Sequence, residues 1–231
     1  MAEAPLRRDF GPGNPNTPDE SRAMLLGTLD AVRRYPVKSL PGERLEVAEV
    51  SSDGIPGDRA RALFVLSGNA RLGKTYRGKE DERLHRIDGI DAARAVAAQR
   101  GVELEMHCDG HFFDDAPISI IVDRWLDELS AHVGYGVEWE RFRPNFFVRA
   151  SDAFAQTESQ LVDTNLALGS VKLRVRAPIG RCVVVTYHPH ADSIDPRILE
   201  FIAQERNAWM GIYCDVLEPG TAHVGDPLIS L

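Results

Sequence analysis

The chain has 231 residues, is 43% hydrophobic and carries a formal charge of -8 at neutral pH. That length buries a sizeable core in one compact unit, and the acidic balance excludes sequence-independent binding to nucleic acid or to an anionic membrane, which needs a basic face. No stretch approaches the ~18 consecutive apolar residues of a membrane span. The three cysteines, Cys108, Cys182 and Cys214, are too few and too scattered for a disulfide framework, a zinc ribbon or an iron-sulfur cluster, so a reducing, cytoplasmic setting is expected.

Residues 1–24 mix Pro5, Pro12, Pro15 and Pro18 with Gly11, Gly13 and both signs of charge. They lack the apolar centre of an export signal and are expected to form a flexible tail. Residues 25–231 read as a single domain, with 25–106 as its N-terminal part and 107–231 as its main part. A first strand runs from Leu25 to Tyr35-Pro36. A loop with Lys38-Ser39 and Pro41-Gly42 leads to a second strand over Leu45–Val50. After a turn at 52–54 and a loop at 55–59, a third strand covers Ala62–Leu66. Gly68–Glu82 has no period and is expected to be a mobile loop, with Gly68–Gly73 not acting as a phosphate-binding loop. Asp91–Arg100 predicts a short helix stopped by Gly101, and Val102, Leu104 and Met106 alternate as a strand. Ile118, Ile121, Val122, Trp125, Leu129 and Val133 fall on one helical face that ends at Gly134. Further strands are predicted at Val137–Phe142, Phe146–Val148, Val171–Val175, Val183–Tyr187, Tyr213–Leu217 and Leu228–Leu231. A helix starts at Asp195-Pro196 and runs through Phe201 and Ile202. The sum is a mainly β chain, a barrel decorated with a few helices.

The chemistry concentrates at strand ends, where scaffolds display functional groups. In Ala177-Pro-Ile-Gly-Arg-Cys-Val-Val-Val-Thr-Tyr-His-Pro189 a thiol stands beside a fixed cation. The β-branched run after Cys182 reads as a strand fed by a turn at Pro178 and Gly180, which puts Cys182 at the strand's mouth. Arginine stays protonated and favours a neighbouring thiolate, the form that binds soft metals or attacks as a nucleophile. The ordinary alternative for a free cysteine is a small buried hydrophobe. Polar clusters also occur at Lys38-Ser39, Asp58-Arg59, Asp114-Asp115 and Arg143-Pro-Asn145. Lys38, Arg59, Arg143 and Arg181 are predicted to converge into a basic pocket that holds a phosphate-bearing cofactor through charge-assisted hydrogen bonds. His107-Cys108-Asp-Gly-His111 lacks a second ligand pair and reads as a surface turn. His188-Pro-His190 reads as a loop, and Trp209 as core or pocket wall.

These residues resemble the MOSC domain family, named after the C-terminal domain of molybdenum cofactor sulfurase. The resemblance covers most of residues 27–231. It rests on Tyr35-Pro-Val-Lys-Ser39 with Gly57-Asp-Arg59, on Phe142-Arg-Pro-Asn145, on Gly180-Arg-Cys182 with Thr186 and Pro189, and on the closing Gly225-Asp226-Pro227. Similarity to the family's amidoxime-reducing branch implies a molybdenum cofactor (molybdopterin) whose metal is ligated by Cys182. It implies contacts to the pterin or its phosphate from Lys38, Ser39, Arg59, Arg143, Asn145 and Arg181, with Asp114 near the metal. The implied activity is reduction of an N-oxygenated small molecule with electrons from an external electron-transfer protein. The family also carries an association with pyridoxal phosphate. The chain departs from the branch at Gly180, where serine is usual, at Asp115-Ala116, where a hydroxyl pair is common, and at Leu72–Thr75, where a Thr-Ala-Arg segment is expected. Two other readings stand beside the reductase: a sulfur carrier or sulfurtransferase working through a Cys182 persulfide, and a non-catalytic cofactor-binding module.

Overall fold

The computed structural model describes residues 23–108 and 110–231. The expected tail lies outside the described residues up to residue 22, and Met24 already belongs to the first strand. In chain order the elements are strands β1 (Met24–Arg34), β2 (Glu43–Leu45), β3 (Val47–Val50) and β4 (Ala62–Gly68), helix α1 (Ile90–Gln99), strands β5 (Val102–His107) and β6 (Ile118–Val122), helix α2 (Arg124–Val133), strands β7 (Phe146–Ala150), β8 (Asn165–Leu168) and β9 (Val171–Gly180), helix α3 (Pro196–Glu205), and strands β10 (Trp209–Glu218), β11 (Gly220–His223) and β12 (Pro227–Ser230). Seven strands close a barrel in the order β1, β12, β8, β9, β10, β6, β7 and back to β1. Every pairing in that ring is antiparallel except β6 with β7.

The barrel follows from a period of two in the sequence. Along β9, Val171, Leu173 and Val175 point inward and are buried, while Lys172, Arg174 and Arg176 between them face solvent. Lys172 and Arg174 pair there with Glu218 and Asp163, each at 2.9 Å. β6 is buried at all five positions, as expected of a central strand covered on both faces. That corrects the expectation of one helix through Ile118–Val133: Ile118–Val122 is strand, and the helix begins only after Asp123. The Asp123 carboxylate accepts from the amides of Arg124 (2.7 Å) and Ala150 (2.8 Å), so one side chain caps α2 and ties it to β7.

Two further strand expectations fail for related reasons. Val137–Phe142 is not a strand, because Trp139–Phe142 winds into a 3-10 turn closed by the Arg141–Glu138 pair at 2.7 Å and by Arg143 in the left-handed region (φ 53°). Val183–Tyr187 is not one either. Residues Val183–Thr186 form a 3-10 turn in which the Thr186 hydroxyl donates to the Val183 carbonyl at 2.7 Å. β-branched residues favour strands only where a partner is available, and this turn instead buries Val185 and Thr186 and packs against α3.

A second core lies outside the barrel, where Leu63 and Val65 of β4, Val102 and Leu104 of β5, Ala93 and Ala97 of α1, and Tyr76 and Leu84 pack together. The segment expected to be a mobile loop, Gly68–Glu82, is part of this layer. Tyr76 returns to the edge of β4, its amide donating to the Leu63 carbonyl at 2.7 Å, and Thr75 bridges to Phe64. Residues 68–75 spell Gly-Asn-Ala-Arg-Leu-Gly-Lys-Thr, which does have the spacing of a phosphate-binding loop. That loop needs a helix opening directly after Lys-Thr. Here the chain turns back along β4 instead.

The layer is pinned by Asp81, whose carboxylate is fully buried and accepts from Arg83 at 2.8 and 2.9 Å, with Arg100 at 3.2 Å. Burial alone would raise the Asp81 carboxyl; the hydrogen bonds and charges of Arg83 and Arg100 outweigh it and hold it below the ordinary carboxylate range. A depressed folded value contributes stability above the ordinary carboxylate pKa, and that stability is lost as pH falls through the folded one. Asp81→Asn is expected to cost about 1.5–3 kcal/mol at pH 7, measured by urea unfolding. The difference from wild type should shrink as the pH falls below the ordinary carboxylate range.

Candidate functional site

The end of β9 opens onto a cavity of about 320 Å³, at the small end of the roughly 300–1,000 Å³ range of ligand pockets. The structure brings all eight sequence-predicted site residues to its lining: Lys38, Ser39, Arg59, Asp114, Arg143, Asn145, Arg181 and Cys182. Three of them, Ser39 (φ 72°), Arg59 (φ 47°) and Arg143 (φ 53°), hold backbone conformations that side-chain-bearing residues rarely adopt. Such strain persists only where the surroundings impose it, and it clusters at functional sites.

The basic residues divide into paired and unpaired. Arg59 pairs with the buried Asp58, whose other oxygen accepts from the Tyr35 amide at 2.7 Å. Lys38 binds Asp114 at 2.5 Å. The Asp114 side chain is largely exposed; the desolvation it does feel would raise its carboxyl, but Lys38, then Arg59 and Arg77, outweigh it and hold it below its usual range. Arg143 and Arg181 have no carboxylate partner among the described residues. Arg143 donates to the Leu40 carbonyl at 2.7 Å, and its guanidinium and that of Arg59 share the Tyr35 ring at 4.3 and 4.7 Å. Arg181 donates to the carbonyls of Met210 (2.7 Å) and Phe142 (2.9 Å), and its remaining nitrogen is buried without a partner. Gly211 leaves the space for it: a Cβ there would lie 3.1 Å from that nitrogen. Burial pulls both guanidiniums down to about 10. Half-buried cations without counter-ions carry part of the cost of a buried charge, and an anion in the cavity would relieve it.

Cys182 stands alone in this setting. It is half-buried, with extended backbone (φ -135°, ψ 179°), and it caps the Val183–Thr186 turn instead of beginning a strand. Cys214 is buried in the barrel and Cys108 is exposed; neither lines the cavity. Among the described residues no group of three or more His, Cys, Asp or Glu is arranged to chelate an ion. A metal held here would therefore bring other ligands of its own and take a single thiolate from the chain. Asn145 is committed to the scaffold: its side-chain oxygen accepts from the Ser119 amide (3.1 Å) and hydroxyl (2.9 Å), and its nitrogen donates to the Arg33 carbonyl (3.3 Å). Those bonds join β6, β7 and β1 at the cavity floor.

Sequence reasoning missed Arg77, Lys79, His85, Arg141 and Tyr213, which also line the cavity. A signal existed for Tyr213, since Ile212 and Cys214 on either side are buried in the barrel and alternation turns Tyr213 to the other face. His107 and Cys108 are exposed, but His107 is the last residue of β5, paired with Ala62, and not part of a turn; Asp109 lies outside the described residues. His188 sits in a loop, its Nδ1 accepting from the amides of His190 and Ala191 at 3.0 Å. Trp209 is neither core nor pocket wall; it is 37% exposed at the start of β10, paired with Gly180.

The model of the MOSC domain matches residues 108–229, more than half of the chain. This chain belongs to the MOSC domain family. Mitochondrial amidoxime reducing component 2 of Macaca fascicularis and of Homo sapiens are each 29% identical to it over 130 residues, half of this chain and 37% of theirs. The match thus spans little more than a third of those relatives. The YuaD protein from Bacillus subtilis shares the fold at a TM-score of 0.55 and 16% identity, over 90% of this chain and 97% of that one. The closed mixed barrel with three helices is therefore a MOSC fold. Among the described residues no helix is long and apolar enough to cross a membrane.

Proposed function

We propose that this MOSC protein is a molybdenum-cofactor-dependent oxidoreductase that reduces an N-oxygenated small molecule, with Cys182 as the protein ligand to the metal. The observation that carries the reading is the pair of half-buried guanidiniums without carboxylate partners among the described residues, Arg143 and Arg181, lining one cavity with a single half-buried thiol. A phosphate answers the charge, and a metal already chelated by a pterin dithiolene needs only the one soft ligand that Cys182 offers. Arg143, Arg181 and Arg59 would hold the phosphate and pterin edge, with Ser39 and Lys38 beside them.

When bound, the cofactor supplies a two-electron centre. Reduction of an N–OH group takes two electrons and two protons, breaks the N–O bond and releases the oxygen as water. The chain binds and orients the substrate and excludes bulk water. Asp114, held ionised by Lys38, acts at neutral pH as a hydrogen-bond acceptor and not as the proton source. Three separated cysteines cannot build an iron-sulfur centre within these residues, and electrons would reach the cavity from a separate carrier protein. The test is anaerobic oxidation of a reduced dye by the purified protein with N-hydroxyamidines and N-hydroxylamines. Turnover that scales with molybdenum content supports the reading. A transferable persulfide on Cys182 in metal-free protein, without dye oxidation, supports the sulfur carrier instead.

A further inference from the structure

The segment carrying Arg77, Gly78, Lys79 and His85 belongs to the second core, yet it is fastened to the turn that follows Cys182. Gly78 packs on Val184, with a Cβ at Gly78 lying 3.2 Å from the valine side chain. The His85 ring stacks on Tyr187 with centroids 5.4 Å apart, and its Nε2 lies 2.9 Å from the His188 carbonyl. That bond fixes the proton on Nε2. Arg86 reaches Asp192 at 2.6 Å. Four contacts thus clamp residues 77–86 over residues 184–192, two positions beyond the candidate metal ligand.

This clamp has a charge surplus. Glu80 is shared between Arg71 (2.9 Å) and Arg77 (3.2 Å), and Lys79 has no carboxylate partner among the described residues. The neighbouring acids are committed elsewhere, Asp81 to Arg83 and Arg100 and Glu82 to Arg100. The Nε of Arg77 is buried without a partner. His85 adds no charge of its own, because burial keeps the imidazole below its ordinary value and so neutral at pH 7. Both cations line the same cavity as Cys182, separately from the Arg59–Tyr35–Arg143 stack.

We propose that Arg77 and Lys79 form an anion subsite beside Cys182, so that the N-oxygenated substrate carries a carboxylate. This rests on the reductase reading for the N–O group and on the clamp for the acid. Pinning at Gly78 and His85 fixes the backbone that carries both cations, and Glu80 holds the Arg77 guanidinium, so a substrate carboxylate meets a partly organised site.

The test compares benzamidoxime with 4-carboxybenzamidoxime as substrates of the holoenzyme, and the corresponding amidines as ligands by calorimetry. Wild-type protein should favour the carboxylated member of each pair by roughly tenfold, and Lys79→Gln and Arg77→Gln should each cut that ratio several-fold. Equal binding of both amidines to wild type, or a ratio that survives both substitutions, overturns the subsite. Bound molybdenum and released pterin are measured in the same samples. If Lys79→Gln or Arg77→Gln loses cofactor as fully as Arg143→Ala, these residues hold the cofactor's own phosphate and the proposal is wrong. If neither amidoxime is reduced but the calorimetric preference and its loss are seen, the anion subsite stands and the reductase reading fails.

Discussion

Cys182→Ser protein is expected to fold normally and to retain at least roughly tenfold less molybdenum than wild type, because a hydroxyl of nearly the same size is a poor ligand for a soft metal. The structure gives reasons to expect a different outcome at the other two thiols. Cys214 is fully buried between β6 and β9, where burial raises its thiol well above the ordinary value and keeps it protonated and inert. Cys108 is exposed and does not line the cavity. Cys108→Ser and Cys214→Ser should therefore keep their metal. Elemental analysis of the three variants beside circular dichroism checks this, and a folded Cys214→Ser protein as empty as Cys182→Ser would mean that the wrong sulfur has been assigned.

The second large effect is expected at the basic residues. Arg143→Ala removes a half-buried guanidinium with no carboxylate partner among the described residues and should weaken reconstitution of the apoprotein by about 1.5–3 kcal/mol, one charge-assisted hydrogen bond. Lys38→Ala should weaken it comparably for a second reason, since it leaves the Asp114 carboxylate unpaired in the cavity beside an anionic cofactor. The Arg143 effect should persist at high salt, because its guanidinium is enclosed and poorly screened. Reconstitution unaffected in both variants would show that no anion is held there.

Much of this arrangement was legible in the chain because its signals are local. Asp195-Pro196 and Gly134 mark helix ends through cap chemistry that needs no tertiary context, and the structure places α3 and the end of α2 there. Lys38 and Arg59 follow strand or turn signals that hold in the structure, whereas the strands expected beside Arg143 and Cys182 are 3-10 turns, so those two were legible only from their motifs. What failed depends on distant parts of the chain. Ile118–Val122 runs straight into α2, and a strand buried on both faces has no period that separates it from a buried helix. Val183–Thr186 has the composition of a strand but lies beyond the last pairing of β9, at Gly180 with Trp209, so the run coils instead. Arg77, Lys79 and His85 sit in a segment without periodicity, and only its docking on residues 184–192 brings them to the cavity. Arg141 was hidden for the same reason, its place being set by a 3-10 turn where a strand was expected.

In the function proposed for it, this cavity holds a molybdenum cofactor through Cys182 and an arginine-bound phosphate. The most direct measurement is the molybdenum and released pterin content of wild-type protein purified anaerobically from a cofactor-producing host. Both are expected at about one per chain, falling together in Cys182→Ser and Arg143→Ala. Correctly folded wild-type protein that carries neither, and takes up neither when offered purified cofactor, would contradict it.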